Sequence, residues 1–384
     1  MPVQPQHRLQ LIIFALVCAA FTNIYITQPV LPVLQQDFNT DLVRVSLTVS
    51  AVVLGIALAN LPFGLISDRF AIKPVIAVGG AAIIICGFVC SATDNLSVLI
   101  LARFVQGIFI PALTTCIVAY LSKSLPPASL NVVMGSYVSA TVAGGLGGRL
   151  LGGWAFSPEH WRYAFIATSV LTAVAILAAL WGLPANRSGK QTASVPATSY
   201  LRLICQWQLL RLYLCALCGF GIFSSVFNFL PFHLAEPTLG FSTEDTTLLY
   251  LVYLVGVLIG PITGKLSNRF GGGNTLLLGS AVLSAALLML LITSTLAVVA
   301  GLLLFCAGFF TIHAAAVGAL NRKLEGGHGR ANALYTLFYY VGGWVGITLS
   351  SFIYQHFGWT ALITCLMLLL LMPVWTGVSE RKHR

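Results

Sequence analysis

Apolar residues in this chain fall into long runs cut by short polar turns. A helix needs about 20 mostly apolar residues to cross ~30 Å of hydrocarbon. Twelve runs reach that length, near 9–31, 46–66, 74–92, 97–121, 132–155, 162–184, 208–234, 246–267, 274–293, 297–320, 331–354 and 358–378. The longest polar gap, 185–207, carries Asn186, Arg187, Ser188, Gly189, Lys190 and Gln191 before a Ser/Thr/Pro stretch, and it separates six runs from six. The pattern predicts an all-α membrane protein of twelve transmembrane helices: a six-helix bundle over 1–184, a linker over 185–207 and a second six-helix bundle over 208–384. The first run starts near Leu9, after His7 and Arg8, and lacks a small-x-small cleavage pattern, so it reads as a retained span and not a signal peptide.

One turn occurs twice. Gly64-Leu65-Ile66-Ser67-Asp68-Arg69-Phe70 is echoed by Gly264-Lys265-Leu266-Ser267-Asn268-Arg269-Phe270 at an offset of 200, each between apolar runs. Leu31-Pro32 matches Leu230-Pro231, Gly107 matches Gly308, Gly144-Gly145 matches Gly342-Gly343 and Trp161 matches Trp359 at nearly the same offset. Such spacing points to duplication of a six-span half, with comparable helix breaks expected in both copies.

Composition agrees with this pattern: 58% of residues are hydrophobic, 8% are charged and the mean hydropathy is +0.92, far from a soluble globule. The formal charge of +10 does not imply nucleic acid, because the basic residues are scattered among short loops and not gathered with aromatics on one domain. Cytoplasmic loops retain Lys and Arg. With both termini inside, sixteen Lys and Arg lie on that side and only Arg44 and Arg162 on the other, leaving Arg103 and Arg149 within the membrane. Eight of the nine cysteines fall in apolar runs and read as small core residues, Cys215-x-x-Cys218 included, so no disulfide framework or metal site is expected.

The turn Gly64-Leu65-Ile66-Ser67-Asp68-Arg69-Phe70-Ala71-Ile72-Lys73-Pro74 resembles the loop signature of the major facilitator superfamily, Gly-x-Leu-Ala-Asp-Arg-x-Gly-Arg-Lys, between its second and third helices. Gly64, Asp68, Arg69 and Lys73 fit, Ala71 and Ile72 stand where that family has Gly and Arg, and in the second copy Arg269 fits while Asn268 replaces the acid. The resemblance implies two bundles related by a pseudo-two-fold axis, a substrate site near midplane where they meet, and a conformational-switch role for the loop.

Other stretches extend the resemblance over nearly the whole chain. Arg103-Phe104-Val105-Gln106-Gly107 resembles the fourth-helix Arg-x-x-Gln-Gly signature. The glycine run with Gly144, Gly145, Gly148 and Arg149 resembles the fifth-helix signature of drug/proton antiporters, with Gly145 where that branch has Pro and Arg149 where it has Gly. Asn23-Ile24-Tyr25-Ile26-Thr27-Gln28-Pro29-Val30-Leu31-Pro32 resembles the first-helix pattern of the twelve-span antiporters, and further matches point to an arabinose-efflux-permease-like group.

No acidic residue lies deep in a predicted span: all ten fall in loops or at helix ends. Proton-driven members of the resembled family often use a membrane carboxylate, so coupling here must use another group or a helix-end acid such as Asp37. Arg103, six residues into a span, either lines a polar interior with Gln106 three residues on, or snorkels to the outer surface. Arg149 admits the same two readings and helix packing as a third. Asn23, Tyr25 and Gln28 line a cavity or make interhelical hydrogen bonds. His313 is the one histidine near the middle of a span, and is either a proton or substrate group or a packing residue. Asn228 and Tyr339, with Tyr340 and Trp344, supply a polar and aromatic lining or pack.

The chain lacks Gly-x-x-x-x-Gly-Lys-[Ser/Thr], so it carries no ATPase of its own, and no constellation for an enzyme is evident. The expectation is a monomeric secondary transporter of a bacterial inner membrane, without cofactor or metal, moving a small organic molecule by proton-coupled efflux. Its partners are that substrate, protons and the lipid bilayer. Proton-coupled uptake is the alternative, and a non-transporting receptor or scaffold a third.

Overall fold

A computed structural model describes residues 6–154, 158–183, 200–324 and 328–381, and among them every regular element is helical. The helices are α1 Gln6–Tyr25, α2 Leu31–Asp37, α3 Leu42–Arg69, α4 Ile72–Ala92, α5 Leu96–Leu113, α6 Thr115–Ser124, α7 Pro127–Gly153, α8 Trp161–Gly182, α9 Tyr200–Cys205, α10 Trp207–Leu234, α11 Thr243–Leu249, α12 Leu254–Phe270, α13 Gly272–Met289, α14 Thr295–Arg322, α15 His328–Leu369 and α16 Leu371–Arg381. Among the described residues ten stretches are long and apolar enough to cross a membrane. One of them, His328–Arg381, has 54 residues and breaks at Gly358 (φ 74°), so at 1.5 Å per residue it holds two crossings. Pro127–Gly153, with 27 residues, completes the twelve.

Several boundaries differ from the sequence reading, each for a local reason. The first span, expected over 9–31, stops at Tyr25 and restarts at Leu31, because Pro29 and Pro32 have no N–H to continue the ladder. The matching Leu230-Pro231 does not break its helix: Pro231 lies inside α10, one turn from its end, so the comparable break expected in the second half is absent. The fourth span is interrupted at Thr114, and the eighth passes through a 3₁₀ turn, Tyr250–Tyr253. The linker, expected over 185–207, includes the short helix α9 and the start of α10, while 185–199 lies outside the described residues.

The chain forms two compact units, Met1–Thr192 and Ala193–Arg384. In the first, α1 packs along α7 and α8, α3 along α5, and α4 along α5 and α8. Without a hydrophobic drive between helices in lipid, close backbone approach supplies the attraction. Gly144, Gly148 and Gly152 present bare backbone to the carbonyl oxygens of Cys18, Thr22 and Ile26, so three successive turns of α7 touch α1 and the residue just past its end. In the second unit α10 packs along α15, where Gly342 lies against the Leu217 carbonyl and Gly346 against that of Gly221. The repeated Gly144 and Gly342 thus do the same job in their own units, and the repeated indoles are alike too. Trp161 and Trp359 are both buried, with Nε1 donating to Asp37 Oδ2 at 2.7 Å and to the Leu290 carbonyl at 2.8 Å.

Candidate functional site

The break after Tyr25 leaves the last carbonyls of α1 without helical partners, a cost that must be met inside an apolar bundle. Arg103, on α5, meets it. Its guanidinium is fully buried and donates from Nη1 to the Asn23 carbonyl at 2.6 Å, from Nη2 to that of Ile24 at 2.7 Å, and from Nε to that of Thr48 at 3.0 Å. Nη1 also donates to Gln106 Oε1 at 2.8 Å, and Gln106 Nε2 donates to the Ile83 carbonyl at 3.1 Å. The Tyr25 carbonyl accepts from the Gln28 N–H at 3.1 Å, and that of Thr22 lies against Gly148. Arg103 is therefore a side-chain cap on a broken helix end, where the residual negative dipole favours a cation. Its side chain does not run out to the surface. The Asn23 side chain donates to the Ala19 carbonyl at 2.8 Å and to Thr172 Oγ1 at 3.0 Å.

A second buried cation sits one step along the same break. Arg149, 1% exposed, donates from Nε to Gln28 Oε1 at 2.8 Å and from Nη1 to the Gly145 carbonyl at 2.7 Å, and its guanidinium carbon lies 4.0 Å from the centre of the Tyr25 ring. This is a cation–π contact in a desolvated setting. The first unit thus brings Asn23, Tyr25, Gln28, Arg103, Gln106, Gly145, Gly148 and Arg149 together around the 26–30 break. Two guanidinium groups are held there, and none of these eight residues is a carboxylate; Asp37, at the end of α2, accepts from Trp161.

In the second unit His313, on α14, lies within an aromatic cluster. The Tyr335 hydroxyl lies 3.1 Å from its Nδ1, and the Tyr339 and Phe309 rings are 5.2 Å and 6.1 Å from the imidazole, centre to centre. Tyr339 stacks on Phe220 at 3.7 Å. Asn228 is buried on α10. Tyr335, Phe220 and Thr172 were not singled out as site residues from sequence, because each is one of many such residues in apolar runs. The switch-loop residues Gly64, Asp68 and Arg69 fall in the last two turns of α3, with Asp68 and Arg69 exposed, and Lys73 opens α4. Arg269 lies exposed in the last turn of α12.

Two chemically different polar centres, one per unit, thus lie in a multi-pass membrane protein, and its family and relatives make it a transporter and not an enzyme. Residues 13–324 match the Major Facilitator Superfamily, and the chain belongs to that family. It is 29% identical over 381 residues to the inner membrane transport protein YnfM of Escherichia coli (strain K12), covering 98% of this chain and 91% of that one. Over 151 residues it is 27% identical to a multidrug resistance protein B homolog of Mycobacterium tuberculosis, covering 39% of this chain and 28% of that one. Its fold is similar to the crystal structure of the nucleoside transporter NupG, with a TM-score of 0.78, 12% identity and coverage of 98% of this chain and 99% of that one.

Proposed function

We propose that this transporter exports a small organic molecule across a bacterial inner membrane by alternating access, driven by protons, as a monomer with both termini in the cytoplasm. The observation that carries the export reading is the glycine row of α7 seated on α1 at Cys18, Thr22 and Ile26. It falls in the stretch that resembles the drug/proton antiporters' fifth-helix signature, and the partial likeness to a multidrug resistance homologue supports the same direction. The charge asymmetry of the loops supports the orientation, and the likeness to an inner membrane protein of Escherichia coli supports the location.

In this reading Asn23, Tyr25, Gln28, Arg103 and Gln106 form the first unit's share of the substrate and proton pathway, and Asn228, His313 and Tyr339 the second's. Arg103 and Arg149 hold positive potential around the helix break, which suits a substrate with an anionic or electron-rich group. His313 carries the proton, since a histidine set mid-span offers a ring nitrogen to bind one while the spans offer no deep carboxylate. The loop of Gly64, Asp68, Arg69 and Lys73, with Arg269 in the second copy, switches between states.

Inverted membrane vesicles holding the protein, given an imposed pH gradient acid inside, test the direction. Export predicts accumulation of substrate in the vesicle lumen that collapses with a protonophore. Accumulation only under the opposite gradient or in right-side-out vesicles refutes export and favours uptake.

A further inference from the structure

At one end of the second unit α12 stops at Phe270, α13 starts at Gly272, α14 stops at Arg322 and α16 stops at Arg381. A pocket of about 620 Å³ opens among these ends. Its wall combines the bare backbone of Gly271, Gly272 and Gly273 with Arg322, Lys323, Arg381 and Glu380. Gly271 has φ 85°, a left-handed conformation that glycine adopts without strain and that turns the chain sharply into α13. A Cβ at Gly272 would lie 2.6 Å from Arg322 Nη2, so the guanidinium rests directly against the bare start of α13. The first N–H groups of α13 have no acceptor within their own helix and point their dipoles at the same space.

Charge in this pocket is not used up within it. The Glu380 carboxylate, 9% exposed, is shared between the buried Arg211 and Lys323, the latter at 3.2 Å. That group of three carries one net positive charge, and Arg322 and Arg381 add two more. Each helix C-terminus offsets about half a charge, so α12, α14 and α16 together account for about 1.5. Among the described residues about 1.5 positive charges remain beside a helix N-terminus that adds to them.

We propose that this pocket binds a phosphate-bearing anion, either the headgroup of an anionic phospholipid or a soluble organic phosphate, through Arg322, Arg381 and the first N–H groups of α13. Guanidinium groups and a helix N-terminus are a matched donor set for phosphate oxygens. The site shares no residue with either polar centre described above and does not depend on the direction of transport.

The test uses purified full-length protein and two probes: glycerol 3-phosphate titrated in solution, and phosphatidylglycerol mixed into phosphatidylcholine nanodiscs. Binding is read by thermal unfolding and by native mass spectrometry of retained lipid. At least one probe should bind the wild type and lose affinity about tenfold or more in the Arg322→Ala/Arg381→Ala variant, while Arg322→Lys/Arg381→Lys keeps part of it. Arg381→Glu alone, an exposed change at the end of the last helix, should also abolish binding. Response to phosphatidylglycerol alone assigns the site to a lipid headgroup, and response to glycerol 3-phosphate alone to a soluble phosphate. Failure of both probes on wild type, or equal binding by the Ala variant and by Arg381→Glu, overturns the proposal.

Discussion

Arg103→Leu removes a cap from a helix that ends inside the bundle. The change leaves the carbonyls of Asn23, Ile24 and Thr48 and the Oε1 of Gln106 without the donor that now serves them. The Thr48 carbonyl keeps its helical N–H partner inside α3, and an orphaned buried acceptor costs about 1–3 kcal/mol, so the other three amount to between about 3 and 9 kcal/mol before relaxation. Removing the cation relieves a desolvation penalty of several kcal/mol, which offsets much of that sum. A net loss of about 3 kcal/mol follows, and for a cooperative unit the size of Met1–Thr192 this lowers Tm by about 6–12 °C. Arg103→Lys keeps the charge but not the fork, and should lose about half as much. Unfolding can be followed with a thiol-reactive fluorogenic dye, since Cys90 and Cys116 are buried in this unit. A Tm for Arg103→Leu within about 2 °C of wild type would refute the capping role, because that corresponds to at most about 1 kcal/mol.

Three further outcomes are expected. His313→Gln keeps a hydrogen-bonding group beside Tyr335 but cannot titrate, so pH-gradient-driven flux should disappear while substrate exchange persists; driven flux that survives it yet is lost with Asp37→Asn moves the coupling site to the outer end of the first helix pair. Glu380→Gln leaves Arg211 buried without its carboxylate and should cost about 3–5 kcal/mol, with Arg211→Met in the same chain restoring most of the lost Tm; a single variant as stable as wild type contradicts the ion-pair geometry. Trp161→Phe removes the donor to Asp37 and should cost about 1.5–3 kcal/mol, the range for a hydrogen bond to a charged group, which chemical denaturation of the purified protein can register; a cost below about 0.5 kcal/mol, less than that range allows, speaks against the contact.

Long apolar runs and one polar gap were enough to count the helices, because each membrane crossing has to satisfy its own backbone and declares itself by length. The repeat of Gly144 as Gly342 correctly marked a helix seam in each unit. The repeat of Leu31-Pro32 as Leu230-Pro231 misled, since a single proline can be carried inside a helix, as Pro231 is in the last turns of α10, whereas the first span meets two, Pro29 and Pro32. Arg103 and Gln106 were legible as a pair through their spacing of three. Their acceptors were not, for backbone carbonyls 80 residues away leave no mark on side-chain identity. Likewise Arg211 and Glu380, 169 residues apart, read as separate charges at helix ends until packing brought them together.

The glycine row on α7 has a consequence for how this gene can vary. At Gly144, Gly148 and Gly152 even a methyl group would run into a main-chain oxygen of α1 or of Ile26 just past its end, and a main-chain oxygen cannot change rotamer to make room. Nearly every missense codon at these positions is therefore closed to neutral drift. Gly147, one residue from the row, meets nothing nearer than 3.6 Å and stays open to alanine. A saturation library of this helix would show tolerance with a period of four, its troughs tracing the line along which α1 lies.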